Sequence, residues 1–235
     1  MNRLGLPDGI GACLFDLDGV LTPTARIHDE AWKRMFDEFL KGQPGQPPFD
    51  PLHDYDEFVD GKPREDGVRS FLESRGISLD EPHVQELAAR KDHIFLELLH
   101  THGVEAYAGS LRYLHAVRGA ALKTAVVSSS RHCTEVLRAA GIQELFDAQV
   151  DGNVAETRAL KGKPAPDTYL EAARMLDVEA PRAAVFEDAL AGVAAGRAGS
   201  FGFVVGVDRA GQAQPLRAHG ADVVVEDLAD LLVRP

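Results

Sequence analysis

A chain of 235 residues, 45% hydrophobic and 26% charged, has the composition of an ordinary globular protein and the length for one sizeable core with a substantial insertion, or two domains. Its net charge of −12 argues against a nucleic-acid or anionic-membrane partner, since both need clustered Lys and Arg, and no apolar run approaches membrane-spanning length. Cys13 and Cys133 give no disulfide framework, and residues 1–11 lack the continuous apolar stretch of a secretory signal, so cytoplasmic residence is expected.

The apolar run 10–15 reads as a short buried strand that ends in Asp16-Leu17-Asp18-Gly19. Residues 26–41 follow, with Ile27, Ala31, Trp32, Met35, Phe36, Phe39 and Leu40 at helical spacing. The proline- and glycine-rich segment 42–51 breaks that helix. Two further helices are predicted within 64–75 and 82–102, and no strand pattern interrupts 27–102. From Tyr107 onward short apolar runs alternate with helical patterns. Strands are predicted at 122–127, 148–150, 183–186, 201–206 and 222–225, and helices at 110–118, 132–140, 167–176 and 190–198. That alternation predicts an α/β fold whose parallel sheet is covered on both faces, with a helical module inserted after the first strand.

Polar clusters fall at the C-terminal ends of several predicted strands. Asp16 and Asp18 lie two apart, so an extended backbone turns both carboxylates to one face, where a cation such as Mg²⁺ offsets their repulsion. Ser128, Ser129 and Ser130 place hydroxyls and free amides before a helix, a setting for an anion, although a helix cap at Ser130 accounts for them equally well. In Gly162-Lys163-Pro164-Ala165-Pro166-Asp167 prolines pin a lysine that can neutralise a phosphoryl oxygen and a carboxylate. Glu187 and Asp188 again follow an apolar run and offer oxygen ligands. Each cluster alone has a bland explanation: an Asx turn, a cap, a surface lysine, a charged helix start. Their common position, each after a different strand, is what a shared crevice requires.

Taken in order, D-L-D-G-V-L-T-x-T from Asp16, the strand-end Ser128, G-K-P-A-P-D and Glu187-Asp188 resemble the haloacid dehalogenase superfamily of aspartyl-phosphate phosphotransferases. Within it the chain is similar to the β-phosphoglucomutase-like subgroup over nearly its full length, through His28, Trp32, the segment 61–66 and Ser128-Ser129-Ser130-Arg131. The resemblance implies a Rossmann-like core, residues 1–25 plus 106–235, and an α-helical cap, 26–105, that closes over substrate. It makes Asp16 the nucleophile and Asp18 the general acid and base. Mg²⁺ is then held by Asp16, the Asp18 carbonyl, Glu187 and Asp188, and the phosphoryl group by Ser128, the Ser129 amide and Lys163. Arg64, Ser130 and Arg131 are assigned to a second phosphate, and His28, Trp32, Gly61 and Lys62 to the rest of the substrate site. Thr24 matches a hinge threonine, while Pro23 stands where an aspartate is usual and fixes φ there. Lys62-Pro63 replaces the small residues usual in that loop.

Three functions remain open on this reading. A Mg²⁺-dependent β-phosphoglucomutase leads; a phosphatase of sugar or polyol phosphates uses the same residues with water as acceptor; a non-catalytic sugar-phosphate binder comes last, because Asp16, Asp18, Lys163 and Asp188 are all present. The expected partner is a phosphorylated sugar, and the expected assembly a monomer.

Overall fold

A computed structural model describes residues 2–232. Met1 and 233–235, the outermost residues assigned to the core from sequence, lie outside the described residues. Six short strands, Ala12–Phe15 (β1), Lys123–Val127 (β2), Ala148–Val150 (β3), Ala183–Glu187 (β4), Phe203–Val207 (β5) and Val223–Val225 (β6), pair in parallel in the order β3-β2-β1-β4-β5-β6. Their runs are apolar without a break because helices cover both faces. Alternation along β1 shows this directly. Ala12 and Leu14 pack into one cluster with Tyr169, Ala172 and Phe201, whereas Cys13 and Phe15 pack into the other with Leu114, Val117 and Val136.

The helices are Thr24–Leu40 (α1), Arg64–Ser74 (α2), Glu81–His102 (α3), Ala108–Gly119 (α4), Cys133–Ala139 (α5), Gly152–Thr157 (α6), Asp167–Met175 (α7), Leu190–Ala198 (α8) and Ala213–His219 (α9). Helix α1 buries Ala31, Trp32, Met35, Phe36 and Leu40, a stripe at helical spacing. With Phe49, Phe71, Leu72, Val84 and Leu87 from the next two helices and their connections, it forms an apolar cluster distinct from those beside the sheet. Asp80 caps α3 by accepting from the His83 amide, and Gly103, at φ 67°, ends it.

Several short elements among the described residues lacked a sequence signal. Helix α6 is six residues long and is held by Asp151 accepting from the amides of Asn153 and Val154. Helix α9 carries Pro215 in its first turn and buries Leu216 alone of its residues. Tyr55–Val59 makes a π-helical turn directly before the Gly61 loop. None is long enough to show a period.

The sheet order sets the site. β1 is interior, flanked by β2 and β4, and strand order reverses direction on either side of it. Phe15 is level with Val126 on one neighbour and Phe186 on the other. Asp16 therefore emerges between the ends of both neighbours, its amide donating to the Phe186 carbonyl at 2.9 Å. Parallel open sheets place their ligand crevice at this edge.

Candidate active site

Asp16, Ser128, Lys163, Glu187 and Asp188 are all buried at the carboxyl end of β1, β2 and β4. The Lys163 ammonium lies 2.5 Å from both Asp16 Oδ1 and Glu187 Oε1 and 3.5 Å from the Val127 carbonyl. Glu187 Oε1 also accepts from the Tyr169 hydroxyl at 3.0 Å, and Oε2 from the Ala189 amide at 3.0 Å. Burial opposes the charge on Lys163, but Asp16 and Glu187 outweigh it and hold the ammonium well above the ordinary lysine range. Burial pushes Asp16 up against the pull of Lys163, with Glu187 and Asp18 adding to the rise. Asp188 is raised as well, first by burial and then by Asp60, Asp16 and Glu187. The core edge thus holds three carboxylates and one ammonium, a net negative pocket.

That imbalance tests the magnesium expectation. Oxygens of Asp16, Glu187 and Asp188 all lie within 4.8 Å of one another. Hard carboxylate donors with surplus negative charge at that spacing fit a Mg²⁺ ion. Asp188 sits flush against the turn after Asp18: a Cβ on Gly19, whose φ is 86°, would fall on the Asp188 carboxylate. The turn closes because position 19 is glycine.

The Asp18 side chain points elsewhere than the acidic cluster. Its Oδ1 accepts from Thr24 Oγ1 at 2.5 Å and lies 3.4 Å from His28 Nε2, while Oδ2 accepts from Ser128 Oγ at 3.2 Å. Burial opposes its charge, but His28, Thr24 and Ser128 outweigh it and set its pKa at about 2. Thr24 in turn shares a 2.7 Å hydrogen bond with Thr22, so the start of α1 is tied to the Asp18 carboxylate. Pro23 occupies the N-cap position at φ −76° without disturbing that tie. Among the described residues His28 Nε2 has no hydrogen-bond partner, and its Nδ1 meets Lys91 Nζ at 2.5 Å. Burial and Lys91 pull the imidazole below its ordinary value, against the opposing pull of Asp18.

Helices α1–α3 cover this edge and leave a cavity of about 660 Å³. The Gly61 carbonyl accepts from Ser129 Oγ at 2.7 Å, across the divide between the helical module and the sheet. Gly61 has φ 69°, and a Cβ there would lie 2.9 Å from the Ala189 Cβ. Lys62 lines the cavity, yet its ammonium is engaged by Ser70 Oγ at 2.8 Å and the Glu57 carbonyl at 3.2 Å. Trp32 lines it too, while its ring stacks on Phe36 at 5.3 Å within the helical cluster. At the far end Arg64 Nη1 lies 2.8 Å from Asp92, and Arg131 Nη2 lies 3.5 Å from Glu65 and 3.4 Å from Glu156. The Ser130 hydroxyl accepts from the His132 amide at 3.2 Å. All residues selected from sequence therefore border one cavity, apart from Thr24 and Glu187, which lie immediately behind it.

Sequence reasoning missed four residues here. Lys91 is buried on α3, in line with Val84, Ala88, Phe95 and Leu98, and a lysine on an apolar helical stripe was the available signal. Burial first, and Arg64 second, push its pKa down to about 7. Asp60, beside Gly61, is raised to about 7 by burial and by Glu187. Asp92 and His132 meet only through tertiary structure, 40 residues apart in sequence. Cys13 and Cys133 are buried thiols whose pKa values burial raises, which excludes them as nucleophiles.

The sequence profile of the haloacid dehalogenase-like hydrolases matches residues 10–199. β-Phosphoglucomutase of Mycobacterium bovis is 51% identical to the chain, covering 97% of it and 94% of that protein. β-Phosphoglucomutase of Bacillus subtilis is 37% identical, covering 94% and 91%. Among solved structures, β-phosphoglucomutase from Clostridium difficile is similar with a TM-score of 0.79 and 27% identity over 94% of this chain and 93% of that one.

Proposed function

Because the chain belongs to the haloacid dehalogenase-like hydrolases, we propose that it is a Mg²⁺-dependent β-phosphoglucomutase, interconverting β-glucose 1-phosphate and glucose 6-phosphate through a phosphoryl group carried on Asp16. The observation that carries this reading is a cavity with a phosphate-binding side chain available at each of its two ends. Lys163 and Ser128 stand beside Asp16 at one, and Arg64 and Arg131 stand at the other. A phosphatase has to grip one phosphate; a mutase working through a bisphosphate has to hold two.

Lys163 fixes Asp16 Oδ1, which leaves the second carboxylate oxygen to attack phosphorus. In the forward half-reaction the sugar hydroxyl attacks the phosphoryl group, the bond to Asp16 breaks, and Asp18 takes the hydroxyl proton. The bisphosphate then reorients, Asp16 attacks its other phosphate, and Asp18 returns the proton to the departing oxygen. An Asp18 with a pKa of about 2 is ionised when the hydroxyl arrives, as a base must be. Asp16, Glu187 and Asp188, with the Asp18 carbonyl that the resemblance adds, would hold Mg²⁺, which would supply the positive charge that lets a carboxylate approach a phosphate. Helices α1–α3 act as a cap, and its seating at Gly61 excludes water from Asp16.

The test is an incubation with Mg²⁺, β-glucose 1-phosphate and a trace of glucose 1,6-bisphosphate. Accumulating glucose 6-phosphate supports the mutase. Inorganic phosphate without glucose 6-phosphate makes the chain a phosphatase and overturns the proposal.

A further inference from the structure

The two guanidinium groups assigned to the substrate's second phosphate are already held by carboxylates. Arg64 Nη1 lies 2.8 Å from Asp92 Oδ1, and the same oxygen lies 2.9 Å from Nε2 of His132, in the loop after β2. Arg131, next in that loop, faces Glu65 of α2 at 3.5 Å. Asp92 belongs to α3 and Glu65 to α2, so the Asp92–His132 and Glu65–Arg131 contacts join the helical module to the sheet side of the crevice, while Arg64–Asp92 links α2 to α3. His132, Arg64 and Lys91 outweigh burial and hold Asp92 below the usual carboxylate range, so it stands there as an anion. Carboxylate and phosphate are the two anions that a guanidinium binds in the same way. Placed together on one arginine they repel, so a phosphate arriving at Arg64 has to displace Asp92 or share the arginine at a loss of affinity.

We propose that Asp92 is a built-in substitute for the substrate's second phosphate: it ties Arg64 of the cap to His132 of the core, shuts the crevice over Asp16 between sugar encounters, and gives way when a phosphate binds. The inference rests on the mutase reading, because an enzyme that must keep its aspartyl phosphate for the next sugar gains from excluding water in the interval. Glu65 and Arg131 act beside it as a weaker second tie.

The test loads the intact protein with acetyl phosphate in Mg²⁺ and follows release of inorganic phosphate from Asp16, alongside the KM for β-glucose 1-phosphate. Asp92→Asn is expected to hydrolyse its aspartyl phosphate about tenfold faster, equivalent to about 1.4 kcal/mol, and to show a lower KM because Arg64 is freed. His132→Ala, which cuts the tie but leaves Arg64 bound to Asp92, is expected to shorten the lifetime without lowering KM. Thermal unfolding checks that each variant is folded. Unchanged lifetimes in both folded variants, or a raised KM in Asp92→Asn, overturn the proposal and make Asp92 an ordinary orienting partner of Arg64. Should the unaltered protein form no aspartyl phosphate, the mutase reading falls first, an outcome distinct from a normal mutase whose variants keep their lifetimes.

Discussion

Replacing Lys163 with methionine removes one ammonium from among three carboxylates while keeping the side-chain length. Lys163 makes two ion pairs of 2.5 Å, and the paired side chains are 1%, 8% and 0% exposed, so water screens almost none of the interaction. Breaking a buried ion pair from one side costs about 3–5 kcal/mol, because a charge is left behind in a poor dielectric. A chain of this size loses about 2–4 °C of Tm per kcal/mol, so the variant is expected to melt on the order of 10 °C lower in a chelator. Adding Mg²⁺ supplies the missing positive charge to Asp16, Glu187 and Asp188, and is expected to raise the Tm of Lys163→Met more than that of the unaltered protein. Catalysis is not expected to return, since a cation on the acidic cluster does not replace the donor on Asp16 Oδ1. Differential scanning fluorimetry with and without Mg²⁺ reads all of this. A chelated Tm within about 2 °C of the parent contradicts the burial argument, and an equal Mg²⁺ shift in both proteins contradicts the charge argument.

Three further outcomes follow from named contacts. Asp16→Asn is expected to abolish turnover with no fall in Tm, because it removes one of the carboxylates crowded around Lys163; a coupled glucose 6-phosphate assay and a melt check both. Gly61→Ala places a Cβ 2.9 Å from Ala189 at a φ of 69°, a strain of about 1–2 kcal/mol, and kcat is expected to fall about tenfold as the cap seats poorly. Lys91 has a folded pKa of about 7, below its unfolded value, so the unfolded chain binds the extra proton between the two and stability climbs as pH rises. Lys91→Met is therefore expected to gain stability relative to the parent below pH 7 and to lose that advantage towards alkaline pH, which urea melts across the range will show.

The parallel sheet explains why so much of the site was legible. Asp16, Ser128, and Glu187 with Asp188 each follow an apolar run, and the fold itself brings the ends of such runs to one edge. Each was therefore readable from its own neighbours in sequence. The interlocking partners were not. His28 meets Lys91 across 63 residues and Asp92 meets His132 across 40, and no local pattern encodes a contact between two inserted helices or between them and the sheet side. Lys62, selected by the motif, does line the cavity, and its ammonium is in addition engaged by Ser70 and the Glu57 carbonyl within the helical module, contacts the motif does not encode. Helix α6 escaped because a six-residue helix capped by Asp151 has no hydrophobic period to detect.

The most direct measurement quenches the protein in acid during turnover with Mg²⁺ and glucose 1,6-bisphosphate and locates the phosphoryl group by peptide mass spectrometry. The expected finding is one phosphoryl increment on the peptide containing Asp16, lost in Asp16→Asn. An increment on any other residue, or one that survives that substitution, contradicts the account.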